Sequence, residues 1–171
     1  MLILVSGPNG SGKSAYAEQL LCRAEGSRFY VATMIPHGPQ GAARVERHLA
    51  QRQGKGFTTL ELPYRVGQAD IPPEGAVLLE DVSNLLANRM FQQGGTAAQA
   101  LEDIRALHGR CRVLVAVTIS GLEADAYEGE TRDYINALHE LNQKLLDMAD
   151  VAVEMREGAA RLVKGEANGL V

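Results

Sequence analysis

Short apolar runs rich in Val, Ile and Leu recur along the chain, at Leu2 to Val5, Phe29 to Ala32, Val77 to Leu79, Val113 to Val117 and Val151 to Val153. Between most of them lie longer segments with helical spacing. Buried strands alternating with helices predict an α/β fold with a mostly parallel sheet and helices on both faces, because parallel strands need crossover connections that cover the sheet. The clearest helix lies near the end, where Tyr134, Leu138, Leu141, Leu145 and Met148 form one apolar stripe, opposite Glu140, Gln143, Lys144 and Asp147. Beyond it, Val151 to Met155 and Arg161 to Lys164 flank the turn signal Glu157-Gly158, which predicts an antiparallel edge hairpin. Loop signals cluster at Pro36 to Gly41, Gln53 to Gly56, Pro72 to Gly75 and Gly94-Gly95. None is long enough to be an interdomain linker, so residues 1–171 read as a single nucleotide-binding domain once the next motif is considered.

Gly7-Pro8-Asn9-Gly10-Ser11-Gly12-Lys13-Ser14 matches G-x-x-x-x-G-K-[ST] and sits directly after the first apolar run, before the helical segment Ala15 to Leu21. In such a loop the glycines let the backbone curl around phosphate oxygens, and the following helix N-terminus adds positive potential. Lys13 reaches the β and γ phosphates, and Ser14 is placed to ligate Mg²⁺. A second acid at the end of a neighbouring strand commonly supports that metal. Val77-Leu78-Leu79-Glu80-Asp81 supplies two candidates, and period-two alternation does not say whether Glu80 or Asp81 faces the nucleotide.

The segment Ala42 to Arg52 has helical composition, and Arg44, His48 and Arg52 recur four apart, with Arg47 and Gln51 beside them. Flanking arginines disfavour imidazolium, leaving a neutral nitrogen nucleophile at pH 7, and Arg44 and Arg47 could neutralise a phosphoryl group under attack. A solvated basic face with an incidental histidine fits the same spacing. His37, His108 and His139 lack a comparable setting and read as surface residues.

Composition narrows the function further. Lys plus Arg is 17 and Asp plus Glu 21, a net charge of −4, which argues against a protein that coats nucleic acid. With 46% apolar and 22% charged residues the chain is too hydrophobic for disorder, and no apolar run approaches the roughly 20 residues of a membrane span. Leu2 to Val5 is too short and lacks the basic flank of a signal peptide, and Cys22 and Cys111 form no metal spacing, so a reducing cytoplasm is expected.

Taken in order, the phosphate loop, Tyr30-Val31-Ala32-Thr33, Arg44-Val45-x-x-His48, Glu61 after Thr59, Leu78-Leu79-Glu80, and Arg132-Asp133 with Asn142-Gln143 resemble the adenosylcobinamide kinase/adenosylcobinamide-phosphate guanylyltransferase family. The resemblance implies a RecA-like P-loop NTPase fold, a homotrimer and a role in cobalamin biosynthesis. It implies that ATP or GTP phosphorylates the aminopropanol arm of adenosylcobinamide. GTP then guanylylates His48, and GMP passes to the phosphate to give adenosylcobinamide-GDP. By the same match the nucleotide site comprises Gly7, Pro8, Asn9, Gly10, Ser11, Gly12, Lys13 and Ser14, then Ala32, Thr33 and Met34, then Leu49, Ala50, Gln51 and Arg52, and finally Glu61 and Glu80. Glu80 then reads guanine or ribose, leaving Ser14 and Asp81 to Mg²⁺, whereas the strand pattern alone leaves both acids open.

This chain departs from the family pattern at Pro36 to Gly41 and at Ile119-Ser120-Gly121-Leu122, where corrinoid or subunit contacts are expected. A different P-loop small-molecule kinase, or a non-catalytic GTP-binding regulator, is the alternative reading.

Overall fold

The computed structural model describes residues 1–36 and 38–166, apart from the side chains at positions 40, 42, 44, 47, 48, 49 and 51. Its strands are β1 (Leu2–Gly7), β2 (Arg28–Ala32), β3 (Phe57–Glu61), β4 (Ala76–Glu80), β5 (Val113–Ile119), β6 (Val151–Arg156) and β7 (Ala159–Lys164). They join in one sheet of order β3-β2-β4-β5-β1-β6-β7. Every pairing is parallel except β6 with β7, the antiparallel hairpin that the turn at Glu157-Gly158 predicts.

The helices are α1 (Lys13–Cys22), α2 (Gly38–Arg52), α3 (Val82–Gln93), α4 (Ala97–His108) and α5 (Gly129–Met148). Alternate residues of the central strands feed two separate cores, one on each face of the sheet. Leu2, Leu4, Val77, Leu79, Leu114 and Ala116 pack with Leu85 and Leu86 of α3, Ile104 and Leu107 of α4, and Leu138, Leu141 and Leu145 of α5. Ile3, Val5, Leu78, Val115 and Val117 pack on the other face with Ala17, Leu20 and Leu21 of α1. Burial on both faces explains why these strands read as continuous apolar runs rather than alternating ones.

Two elements differ from expectation. Strand β3 is absent from the apolar-run pattern because it is an edge strand, Phe57-Thr58-Thr59-Leu60-Glu61, with no fully buried residue. Helix α2 starts at Gly38, four residues before the helical composition begins, so Gly38 to Gly41 are helix rather than loop. Between α3 and α4 the chain turns at Gly94, whose φ of 62° suits glycine, and Thr96 then opens α4 with a capping box to Gln99. Among the described residues no helix is long and apolar enough to cross a membrane.

Candidate active site

Strand β1 ends in Gly7, where a Cβ would lie 2.6 Å from the Met155 carbonyl oxygen and 2.6 Å from the Ser11 hydroxyl. Only glycine lets the loop leave the sheet this close to β6. Gly10 and Gly12 take φ of 76° and 85°, left-handed values that reverse the chain and deliver it to α1 with Lys13 and Ser14 as the first helical residues. Lys13 Nζ donates to the Pro8 carbonyl at 3.2 Å, bridging the loop.

The two acids after β4 have separate surroundings. Ser14 donates its hydroxyl to Glu80 Oε1 at 2.6 Å, while Glu80 Oε2 is buried with no hydrogen-bond partner among the described residues. Burial, then the neighbouring Asp81 charge, push the Glu80 carboxyl up to about 8, against the opposing pull of the Ser14 hydroxyl and Lys13. Asp81 caps α3 instead: its Oδ1 accepts from the Asn84 N–H at 2.7 Å and the Ser83 hydroxyl at 2.5 Å.

Thr33 is fully buried and does not line the cavity. Its hydroxyl oxygen accepts from the Asp81 N–H and donates to the Asp81 carbonyl, both at 2.7 Å. Asn88 Nδ2 donates to the Thr33 carbonyl at 2.8 Å, so the ends of β2 and β4 are fastened to α3 beside the phosphate loop.

A cavity of about 380 Å³ opens over this arrangement. Asn9, Gly10, Lys13 and Ser14 form one wall, Tyr30, Ala32 and Met34 another, Thr59 and Glu61 the β3 side, and Glu80, Asp81 and Asn84 the floor. Helix α2 closes it with Val45 and Arg52. The Arg52 guanidinium carbon sits 3.4 Å from the Tyr30 ring centroid, and its Nε and Nη1 are buried without hydrogen-bond partners among the described residues. Burial, followed by the Glu80 charge, raises the Tyr30 phenol well above the usual tyrosine value.

Of the residues expected from sequence, Asn9, Gly10, Lys13, Ser14, Ala32, Met34, Arg52, Glu61, Glu80 and Asp81 converge on this cavity. Ala50 is exposed on α2. His48, Arg44, Arg47, Leu49 and Gln51 have their backbones on α2, but their side chains lie outside the described residues, as does His37. His108 is half-buried rather than superficial, and burial lowers its imidazole. His139 is exposed.

Sequence reasoning missed Asn84, Tyr30 and Thr59 as lining residues. Asn84 sits three positions after an acid that caps a helix, and Tyr30 shares a strand face with Ala32; both relations were available from spacing.

The family sequence model described as CobU, cobinamide kinase / cobinamide phosphate guanyltransferase, matches residues 3–162. The chain belongs to this family. Among its relatives, the bifunctional adenosylcobalamin biosynthesis protein CobU of Escherichia coli (strain K12) is 39% identical over 101 residues, which cover 56% of this chain and 53% of that protein. Its counterpart in Salmonella typhimurium (strain LT2) is 35% identical over 98 residues, with the same 56% and 53% coverage. The chain spans about half the length of the curated relatives it matches.

A solved ATPase from the type III secretion system of pathogenic bacteria superposes with a TM-score of 0.53 at 12% identity, covering 91% of this chain and 52% of that one. At that identity the likeness is one of fold. With a phosphate loop after β1, an acidic end to β4 and β5 inserted between them, the chain has the RecA-like P-loop fold.

Proposed function

We propose that this chain phosphorylates adenosylcobinamide with a nucleoside triphosphate and then transfers GMP from GTP, through His48, to give adenosylcobinamide-GDP. The observation that carries the reading is the Lys13, Ser14 and Glu80 cluster in a cavity whose remaining wall is α2, the helix bearing His48, in a chain of this family.

In the first reaction the substrate hydroxyl oxygen attacks the γ phosphorus, the bond to the β-phosphate oxygen breaks, and the nucleoside diphosphate leaves as the alcohol proton is lost. Lys13, freed from Pro8, neutralises the charge spreading over the transferring group, and the loop backbone fixes its orientation. In the second, a His48 ring nitrogen attacks the α phosphorus of GTP and pyrophosphate leaves. The cobinamide phosphate oxygen then displaces the imidazole, so the P–N bond breaks and the histidine is regenerated.

Arg44 and Arg47 lie within one turn of His48 and are assigned to charge on the transferring phosphoryl group. Gly7 to Ser14, Ala32 to Met34, Leu49 to Arg52 and Glu61 are assigned to the nucleotide. Thr33 acts from behind, by holding the Asp81 backbone. Arg52, stacked on Tyr30 with buried donors to spare, supplies hydrogen bonds that an anionic or carbonyl-bearing ligand would accept.

The residues present suit Mg²⁺. Ser14 offers a hydroxyl and Glu80 a buried oxygen without a partner, a small oxygen set of the kind this ion completes with water and phosphate. Bound there, the ion supplies charge neutralisation at the phosphates. Glu80 is the better placed acid for it, since the Asp81 carboxylate is engaged at the start of α3. A homotrimeric, cytoplasmic enzyme completes the proposal, and sedimentation of purified protein tests the assembly.

The chemical test is incubation with GTP labelled at the α-phosphate, then denaturation and peptide mapping. An acid-labile, base-stable GMP adduct on the His48 peptide, absent from His48→Ala, is the expected result. Full guanylyl transfer by His48→Ala would refute the covalent step.

A further inference from the structure

We infer that a second cavity, on the sheet face opposite the nucleotide cavity, seats the carboxamide-bearing edge of the corrinoid acceptor; this rests on the function proposed above. Helices α3, α4 and α5 pack over β5 and β1, and β6 and β7 continue past the last of them. The uncovered stretch forms a cavity of about 360 Å³ between α5 and the sheet. Its floor carries a polar row where a core face is otherwise apolar: Thr118, Ser6 and Glu154 are direct neighbours across β5, β1 and β6.

The hydrogen-bonding groups here lack a role in the nucleotide site. Ser120 Oγ is buried and unpartnered among the described residues. Asn142 is fixed, accepting from the Thr118 hydroxyl at 2.7 Å and donating to the Ile119 carbonyl at 2.9 Å, which braces the end of β5 and sets the adjacent Gln143 on the cavity wall. The Glu154 charge is met by Arg156 at 3.0 Å. The cavity therefore favours a neutral ligand that both donates and accepts hydrogen bonds. Leu146, Ala152 and Val163 provide the apolar remainder. A corrin periphery, on which methyl groups alternate with primary carboxamide arms, has this mixed chemistry.

Position supports the same occupant. Ser6 immediately precedes Gly7, and the Ser120 N–H donates to the Gly7 carbonyl at 3.2 Å, so one wall is shared with the phosphate loop. The nucleotide cavity is of a size that one nucleotide fills, which leaves the macrocycle outside it. A corrinoid lying over the carboxyl ends of β1 and β5 reaches the phosphates with its aminopropanol arm and this second cavity with its amide edge.

The test uses Val163→Trp, which fills the groove from an exposed strand position, and Gln143→Leu, which removes an amide from the wall. Steady-state kinetics with adenosylcobinamide are compared with formation of the GMP adduct from GTP alone, and thermal melts verify folding. The expected result is a corrinoid KM raised about tenfold or more in each variant, with the GTP KM and adduct formation within about twofold of the parent. A corrinoid KM within about twofold of the parent in both variants overturns the inference. Should Val163→Trp not fold, Gln143→Leu decides alone, since Gln143 is an exposed residue at the cavity rim whose amide otherwise donates to Asp147 at 2.9 Å. A parent protein that forms the adduct but modifies no corrinoid refutes the proposed function, and this inference with it.

Discussion

Replacing Glu80 with Gln is expected to stabilise the nucleotide-free protein while removing the phosphoryl-transfer activity proposed above. The Glu80 carboxyl is buried, one oxygen is unpartnered, and its titration is pushed from 4.5 to about 8. Below pH 4.5 both folded and unfolded chains keep it neutral. Between 4.5 and 8 the unfolded chain releases the proton and the folded chain retains it, so stability falls as pH rises and the loss is complete above the folded value. Each pH unit in that window costs up to about 1.4 kcal/mol, which by pH 7 accumulates to about 3 kcal/mol. Gln keeps an oxygen to accept from Ser14 but has no proton to lose. In EDTA, without nucleotide, Glu80→Gln should melt roughly 6–12 °C above the parent at pH 7, and the gap should close toward pH 4.5. Scanning calorimetry across this range is the assay. A variant that melts below the parent at pH 7, or a gap that does not change with pH, would refute the reasoning.

Lys13→Met should lower kcat for phosphoryl transfer by about 10²-fold or more with little change in melting, because among the described residues its ammonium donates only to the Pro8 carbonyl; a coupled kinase assay and a thermal melt check both halves. Gly7→Ala should cost about 1–3 kcal/mol in urea denaturation and impair nucleotide binding, since its methyl would meet the Met155 carbonyl oxygen at 2.6 Å. Asp81→Asn should preserve the α3 cap and keep phosphoryl transfer within about tenfold of the parent, whereas Asp81→Ala should lose about 0.5–2 kcal/mol from the missing cap; kinetics and denaturation of both variants separate a capping role from a metal role.

The parallel core was legible because it is buried on both faces, which writes continuous Val, Ile and Leu runs into β1, β4 and β5. Strand β3 lacked that signal for the opposite reason. It is held by its backbone ladder to β2 at the sheet edge, and Thr58 and Glu61 are exposed, so no apolar periodicity marked it. The start of α2 was hidden by Gly38, Pro39 and Gly41, residues that in isolation read as a loop. Convergence of β2, β3 and α2 residues on the phosphate loop could be inferred only through the family resemblance, since their contact depends on strand order rather than on any local pattern.

The choice between Glu80 and Asp81 shows where local reading stops. Strand β4 is buried at every position, so alternation along it does not mark which acid faces the nucleotide. Two neighbours outside the strand give the acids different surroundings: Ser14, brought against Glu80 by α1 on one face, and the first N–H groups of α3, which draw the Asp81 carboxylate to the helix start. An acid that caps the next helix already has its charge satisfied, while one buried beside a hydroxyl with an oxygen left over is stable as an anion only when a cation arrives. Under the function proposed above, the same burial that destabilises the ligand-free protein would favour binding of a cation and its nucleotide, which ties the expected gain in stability of Glu80→Gln to the expected loss of its chemistry.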